Sequence, residues 1–311
     1  MRKRQIIIDC DPGLDDAVAL LTAFAASDMM DVAGITTAAG NVRAELTLRN
    51  ARIIRELAGR GREVPVCAGA PGPLLRDPVT AEDFHGTTGL GNVVFPKPRV
   101  RASRAHGVNY LVRTLRAARG QPMTLVVTGP MTNLALALAM APDIVSGLDE
   151  IVVMGGADVE GGNITPYAEF NVFADPHAAA AVFRCGVPMR VLSLDVTHQL
   201  LTSDEQVGRI RALGSTQAVA AADLLAASNR LEENEKGRHA PLHDPSTIIA
   251  LLRPDLFEGR KAEVKVITEE GEEFGRTIPD YREDGHVLWY TQADADGVFS
   301  EMLGQIARYG E

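Results

Sequence analysis

The chain has 311 residues, 46% of them hydrophobic and 23% charged, with a formal net charge of −10. That composition supports a sizeable buried core and excludes a disordered chain. The acidic balance repels a phosphate backbone, so nucleic acid is not expected as a partner. Cys10, Cys67 and Cys185 lie far apart with no CxxC pair, which suggests neither a zinc site nor a disulfide framework and fits a reducing compartment. The basic opening, residues 1–5, lacks the long apolar stretch of a signal peptide, and no apolar run is long enough to span a bilayer. A soluble cytoplasmic protein with no membrane partner is expected.

Residues 6–8, three isoleucines, read as a buried strand. Residues 15–26 read as a helix with acidic residues in its first turn, where they favour the macrodipole. A strand over 32–37, a helix over 44–58 and a strand over 64–68 follow. Residues 69–98 form a connection rich in Gly and Pro, long enough to suggest a functional loop. Next come a helix at 107–119, a strand at 124–127, a helix at 133–140 and a strand at 151–154. A helix at 176–183 and a strand at 189–194 complete the regular part. Residues 202–234 look mainly helical, 245–252 adds a helix, and late strands are expected at 264–268, 273–277 and 287–290. A last helix runs over 294–309. No repeat or linker interrupts the chain, so residues 1–311 are expected to form a single catalytic domain. The alternation implies an α/β fold, an open, mostly parallel, doubly wound Rossmann-like sheet with helices on both faces.

Such sheets bind ligands at the carboxyl ends of their strands, and polar residues gather there. Asp9 and Asp11 follow the first strand, and Asn41 lies shortly after the second. Thr128-Gly129-Pro130 follows the strand ending at Val127, Met154-Gly155-Gly156 follows residues 151–153, and Asp195 ends the strand before it. Asp9-Cys10-Asp11-Pro12-Gly13-Leu14-Asp15-Asp16 puts four carboxylates within eight positions at a strand-to-helix turn. Without a cation, mutual repulsion would raise their pKa values. A hard divalent cation prefers carboxylate oxygens and removes the conflict. The plainer reading is that Asp15 and Asp16 complement the helix dipole and Asp9 or Asp11 caps it.

This opening resembles that of the inosine-uridine preferring nucleoside hydrolase family, whose Asp-x-Asp-Pro-Gly-x-Asp-Asp signature follows the first strand. The resemblance recurs in order along the chain. It is carried by Ala39-Gly40-Asn41, by Val127-Thr128-Gly129-Pro130-Met131-Thr132-Asn133-Leu134 and by Val153-Met154-Gly155-Gly156. The run Gly162-Asn163-Ile164-Thr165-Pro166-Tyr167-Ala168-Glu169-Phe170-Asn171, then Ala174-Asp175-Pro176 and Pro241-Leu242-His243-Asp244-Pro245, continue it. It implies the nucleoside hydrolase fold and a ribonucleoside N-ribosyl hydrolase using one Ca2+ per subunit. The ion would be held by Asp11, Asp16, Asp244 and the carbonyl of Thr128. The resemblance also implies a water of lowered pKa giving its proton to Asp11, and a transition state resembling an oxocarbenium ion. It places Asp15, Asn163, Glu169 and Asn171 on the sugar hydroxyls, has Asn41 orient the water, and has Met154 and Phe170 shape the sugar pocket. His243 would protonate the leaving base. The expected assembly is a homodimer or homotetramer acting on a small-molecule nucleoside.

For each of these residues a plainer role stays open. On spacing alone Asn163, Glu169 and Asn171 read as a solvated polar loop, a reading that Phe170 and the matched order weaken; Asn41 also reads as a turn residue, Met154 as core packing and Asp244 as a helix cap. His85 lies in His85-Gly86-Thr87-Thr88-Gly89-Leu90-Gly91, where Thr88 replaces the family's usual acidic residue. It either contacts the base or serves the structure, so His85 and His243 both stand as candidates at the leaving group. Residues 226–236 are polar where relatives place aromatics lining the base. This leaves base identity open between a different leaving group and a merely solvated helix face. Two alternatives remain at this level: a non-catalytic nucleoside-binding protein on the same scaffold, and a phosphatase of the haloacid dehalogenase type, which also opens on Asp-x-Asp.

Overall fold

The computed structural model describes residues 3–311; Met1 and Arg2, part of the basic opening, lie outside them. Nine strands among the described residues form one sheet. They are β1 (Arg4–Cys10), β2 (Met30–Thr37), β3 (Val66–Ala68), β4 (Met123–Val127), β5 (Leu148–Met154), β6 (Met189–Leu192), β7 (Phe257–Val266), β8 (Thr277–Tyr281) and β9 (Val287–Ala293). Their order is β3-β2-β1-β4-β5-β6-β9-β7-β8. The first six strands and β9 pair in parallel, whereas β7 runs antiparallel to both its neighbours.

The period of two along each strand sorts side chains onto two covered faces. Ile6, Ile8, Val126, Val152 and Leu192 enter one core. Ile7, Leu125, Val127, Ile151, Val153 and Val191 enter the other. The helices are α1 (Leu14–Ala25), α2 (Ala44–Leu57), α3 (Glu82–His85), α4 (Gly107–Ala117), α5 (Thr132–Met140), α6 (Phe170–Ala174), α7 (Pro176–Phe183), α8 (Leu194–Thr197), α9 (Asp204–Ala212), α10 (Thr216–Lys236), α11 (His243–Leu252) and α12 (Ala295–Ala307). Residues of α1, α2 and α9 to α12 cover the first face, and those of α4, α5 and α7 cover the second. The doubly wound expectation therefore holds.

Several boundaries differ from expectation, each for a local reason. The stretch expected as a strand at 273–277 is a turn, with Gly271 and Gly275 at positive φ. The strand itself, β8, starts at Thr277 and pairs with β7. β7 begins at Phe257, earlier than residue 264, because one face of an antiparallel strand tolerates water and admits the exposed Glu258–Lys261 stretch. The helical region 202–234 is two helices, divided where Gly214 takes a φ of 78° and Ser215 caps α10 through the amide of Ala218. Asp195 does not end a strand. It lies in α8, and its carboxylate accepts the amides of Asp158, Val159 and Glu160 at 2.9, 2.8 and 2.9 Å, pinning the loop after β5. No helix among the described residues is long and apolar enough to cross a membrane.

Candidate active site

The strand order turns outward in both directions from β1 and β4, which are neighbours. The loops after these two strands lie where ligands are expected in such sheets. Asp11 is fully buried here. Its Oδ2 accepts the amide of Asn41 at 2.6 Å, while its Oδ1 has no partner. Glycine is required on both sides. A Cβ at Gly129 would stand 2.5 Å from Asp11 Oδ1, and one at Gly40 would overlap Asp11 Oδ2. Asn41 also donates through Nδ2 to the Asp11 carbonyl at 3.2 Å and to Asp16 Oδ2 at 2.9 Å. Asp16 is thus held from several sides, because it also accepts Gly13 N at 3.0 Å and the Thr128 hydroxyl at 2.8 Å.

Asp244 enters from the first turn of α11, which starts at His243 and not at Pro245. One oxygen each of Asp15, Asp16 and Asp244 lie within 4.8 Å of one another. Asp15 Oδ1, like Asp11 Oδ1, is buried without a partner. The tightest convergence therefore includes Asp15, which the sequence reading gave to the sugar, with Asp11 beside it. Burial raises the pKa of every member: Asp16 to about 6, Asp15 upward, and Asp11 and Asp244 well above the usual carboxylate range. The neighbouring carboxylates push Asp11, Asp16 and Asp244 further the same way. Asp9, two residues before Asp11 and inside β1 rather than after it, is pushed by burial to about 6 although Thr36 and Asn133 donate to it. Partnerless buried oxygens in an all-oxygen set fit a hard divalent cation, which would offset the repulsion.

A cavity of about 260 Å³ opens from this cluster. Asp15, Asn41, Thr128, Met154, Asn163, Glu169, Phe170, Asn171, His85, His243 and Asp244 all line it. Asn171 Nδ2 donates to the Thr128 carbonyl at 3.0 Å and to the Met154 carbonyl at 3.2 Å. Asn163 uses its Oδ1 on the amide of Phe170 at 2.9 Å. Glu169 caps α6: its two oxygens accept the amides of Asn171, Val172 and Gly156 at 2.8, 3.1 and 3.0 Å. Burial still raises it to about 7. Much of its hydrogen-bonding capacity serves the loop, a part the sequence reading did not assign to it.

His85 is buried and His243 half-buried, and each has one ring nitrogen occupied. His85 Nδ1 accepts the amide of Leu14 at 3.2 Å, and burial pushes its pKa down to about 4. His243 Nδ1 lies 2.9 Å from the Thr197 hydroxyl, and burial takes its pKa well below the ordinary value, with His198 the next contribution. His85 also packs against the Asp11 turn, where a Cβ at Gly13 would stand 2.5 Å from its Nδ1.

The other end of the cavity departs from the solvated-helix reading of residues 226–236. Glu232 is 2% exposed and lines the cavity with Glu235 and Lys236. Phe84 from α3 and Ile164 add apolar wall. Phe84, Ile164, Glu232 and Lys236 were not singled out from the sequence. Phe84 directly precedes His85, and that adjacency was the available signal.

The sequence pattern of the inosine-uridine preferring nucleoside hydrolases matches residues 6–300. The chain belongs to that family. It is accordingly a ribonucleoside hydrolase, an enzyme acting on N-ribosyl bonds, and the phosphatase alternative falls away. The hydrolase is 43% identical over 279 residues to the pyrimidine-specific ribonucleoside hydrolase RihA of Photobacterium profundum, covering 89% of each chain. Its fold is similar to that of the purine-preferring ribonucleoside hydrolase from Gardnerella vaginalis, with a TM-score of 0.92, 30% identity and 99% of both chains covered. The plant nucleoside hydrolase PpNRh1 is similar to the same degree in fold, with a TM-score of 0.92 at 28% identity over 98% of this chain and 99% of that one.

Proposed function

We propose that this hydrolase is calcium-dependent and splits ribonucleosides into free ribose and base through a transition state resembling an oxocarbenium ion. The observation that carries the reading is the pair of partnerless buried oxygens, Asp11 Oδ1 and Asp15 Oδ1, in a carboxylate cluster whose Asp15 and Asp244 line a cavity of nucleoside scale. Asp11, Asp16, Asp244 and the Thr128 carbonyl would hold the calcium ion, which when bound would supply a water of lowered pKa and a Lewis acid for the ribose diol. Asp11 receives the proton at Oδ1, while the Asn41 amide on Oδ2 keeps the carboxylate aimed. Asp15, Asn163, Glu169 and Asn171 meet the sugar hydroxyls, and Met154 and Phe170 close around the ring. The surrounding carboxylates stabilise positive charge developing on the sugar. Thr197 fixes the tautomer of His243, which faces the leaving base as hydrogen-bond donor, and His85 lines the same end. The base we assign is a pyrimidine, because the pyrimidine-specific relative stands at 43% identity and the purine-preferring one at 30%.

We read residues 1–311 as one catalytic domain working in the cytoplasm as a homodimer or homotetramer. The three unpaired cysteines agree with a reducing compartment. The test is ribose release from uridine, cytidine and inosine by the wild type and Asp11→Asn. The variant is expected to fold normally and to lose activity by about 10²–10⁴-fold, the range for a removed general base. Near-wild-type turnover by Asp11→Asn would sink the mechanism.

A further inference from the structure

The residues lining the cavity hold carboxylates around the sugar, but among them Lys236 is the sole lysine or arginine. It is the last residue of α10, which Gly237 ends at a φ of 67°. Its plain role would be to neutralise Glu232, whose Oε1 lies 3.3 Å from the ammonium. Glu232 does not need it for that. Arg238 already donates to the same oxygen through Nε at 3.0 Å. Arg238 is itself anchored, its other end 3.2 Å from His198 Nε2, with His198 Nδ1 2.7 Å from Glu160. Glu232 thus keeps a partner in Arg238 when the exposed Lys236 ammonium turns from it to a ligand in the cavity that both line. Two further carboxylates, Asp83 and Glu235, line the same end. Both are exposed, as Lys236 is, and water and salt screen all three while the cavity is open. Phe84, Ile164 and Phe170 add apolar wall to the cavity, and a base seated against it would exclude water and strengthen the charge facing it.

We propose that Lys236 is a catalytic residue at the leaving group. In this role it meets a carbonyl oxygen of the base and stabilises the negative charge that gathers there as the glycosidic bond breaks. This rests on the hydrolase reading above and adds a substrate class to it: bases carrying ring carbonyls, with uracil as the pyrimidine case. In the step, the C1′–N bond breaks and its electron pair goes to the base, where it spreads onto the carbonyl oxygen facing the ammonium. The water oxygen bonds to C1′, its proton goes to Asp11, and the base takes up a proton from solvent on release. The two cavity histidines each have Nδ1 occupied, by Leu14 and by Thr197, whereas the Lys236 ammonium carries three rotatable donors on a flexible stem.

The test compares Lys236→Met and Lys236→Arg with the wild type, at saturating calcium, on uridine and on 4-nitrophenyl β-D-ribofuranoside. The second substrate carries the same ribose with a leaving group that needs little help. Lys236→Met is expected to lower kcat/KM on uridine by about 10²-fold, the scale of one removed electrostatic stabiliser. On the nitrophenyl riboside it stays within about 3-fold of wild type, a change of less than about 1 kcal/mol. Lys236→Arg is expected to recover most of the uridine activity. An equal loss on both substrates, or no loss on uridine, overturns the assignment, since a merely structural lysine would not separate them. A wild-type protein that cleaves neither substrate contradicts the hydrolase reading beneath it. One that cleaves only the nitrophenyl riboside leaves the ribose chemistry standing and overturns the role of Lys236.

Discussion

Asp11 and its neighbours divide the labour of one cluster through the partners each oxygen has. Asp16 is engaged at both oxygens by Gly13, Asn41 and Thr128, with room left on Oδ1, whereas Asp11 and Asp15 each keep one oxygen without a partner. The aspartate motif was legible because four carboxylates at one turn make sense only around a charge that offsets them. The partner of each oxygen was not legible, because Asn41 and Thr128 reach the cluster from other strands. The same holds for Glu169, where the sequence suggested a sugar ligand and the fold adds the cap of α6. Two predictions belong at this scale. Gly40→Ala would drive a methyl into Asp11 Oδ2. It should cut kcat by about 10²-fold, the cost of displacing a catalytic group by about 1 Å, with circular dichroism unchanged. Full activity in that variant would show that the carboxylate can move freely. Thr197→Val removes the partner of His243 Nδ1 and should lower kcat on uridine more than it raises KM. An effect confined to KM would assign Thr197 to binding alone.

At the scale of elements, the site depends on connections that carry little regular structure. The long segment after β3, expected to be a functional loop, lines the cavity, but its short α3, which carries Phe84 and His85 there, has too few residues to show a helical period. Its far end is tied to α2: Glu56 accepts the amides of Arg99 and Val100 at 2.8 and 2.7 Å, and the buried Arg55 donates to the Val64 and Val100 carbonyls. Glu56→Ala should therefore speed hydrogen exchange at Arg99 and Val100 and cost about 1–2 kcal/mol of stability. Unchanged protection there would mean that the loop is held elsewhere. The antiparallel end of the sheet was the least legible part. β7 carries an exposed Glu258–Lys261 stretch that resembles a loop in composition, and only its pairing with β8 and β9 makes it a strand.

For the whole molecule, the βα alternation and the two apolar faces of each inner strand were readable because period and chirality leave few ways to cover a parallel sheet. What periodicity does not report is the charge that the fold gathers at one edge. Burial raises Asp9 and Asp16 to about 6 and Glu169 to about 7, against about 4 for each in an unfolded chain. The metal-free folded form thus binds more protons than the unfolded form between those values. Its stability from these groups is fully present below about pH 4 and is lost as the pH rises through 6 to 7. Chelated protein should accordingly melt lower at pH 8 than at pH 5, and calcium should raise the melting temperature most at pH 8. A chelated protein with equal melting temperatures at both pH values would mean that these carboxylates are not desolvated as the fold implies. The most direct measurement is ribose release from uridine by chelator-treated enzyme, titrated with calcium. The calcium-dependent mechanism predicts negligible turnover without the ion and saturable recovery on adding it, with no recovery in Asp11→Asn. Full turnover by the chelated wild type would contradict it.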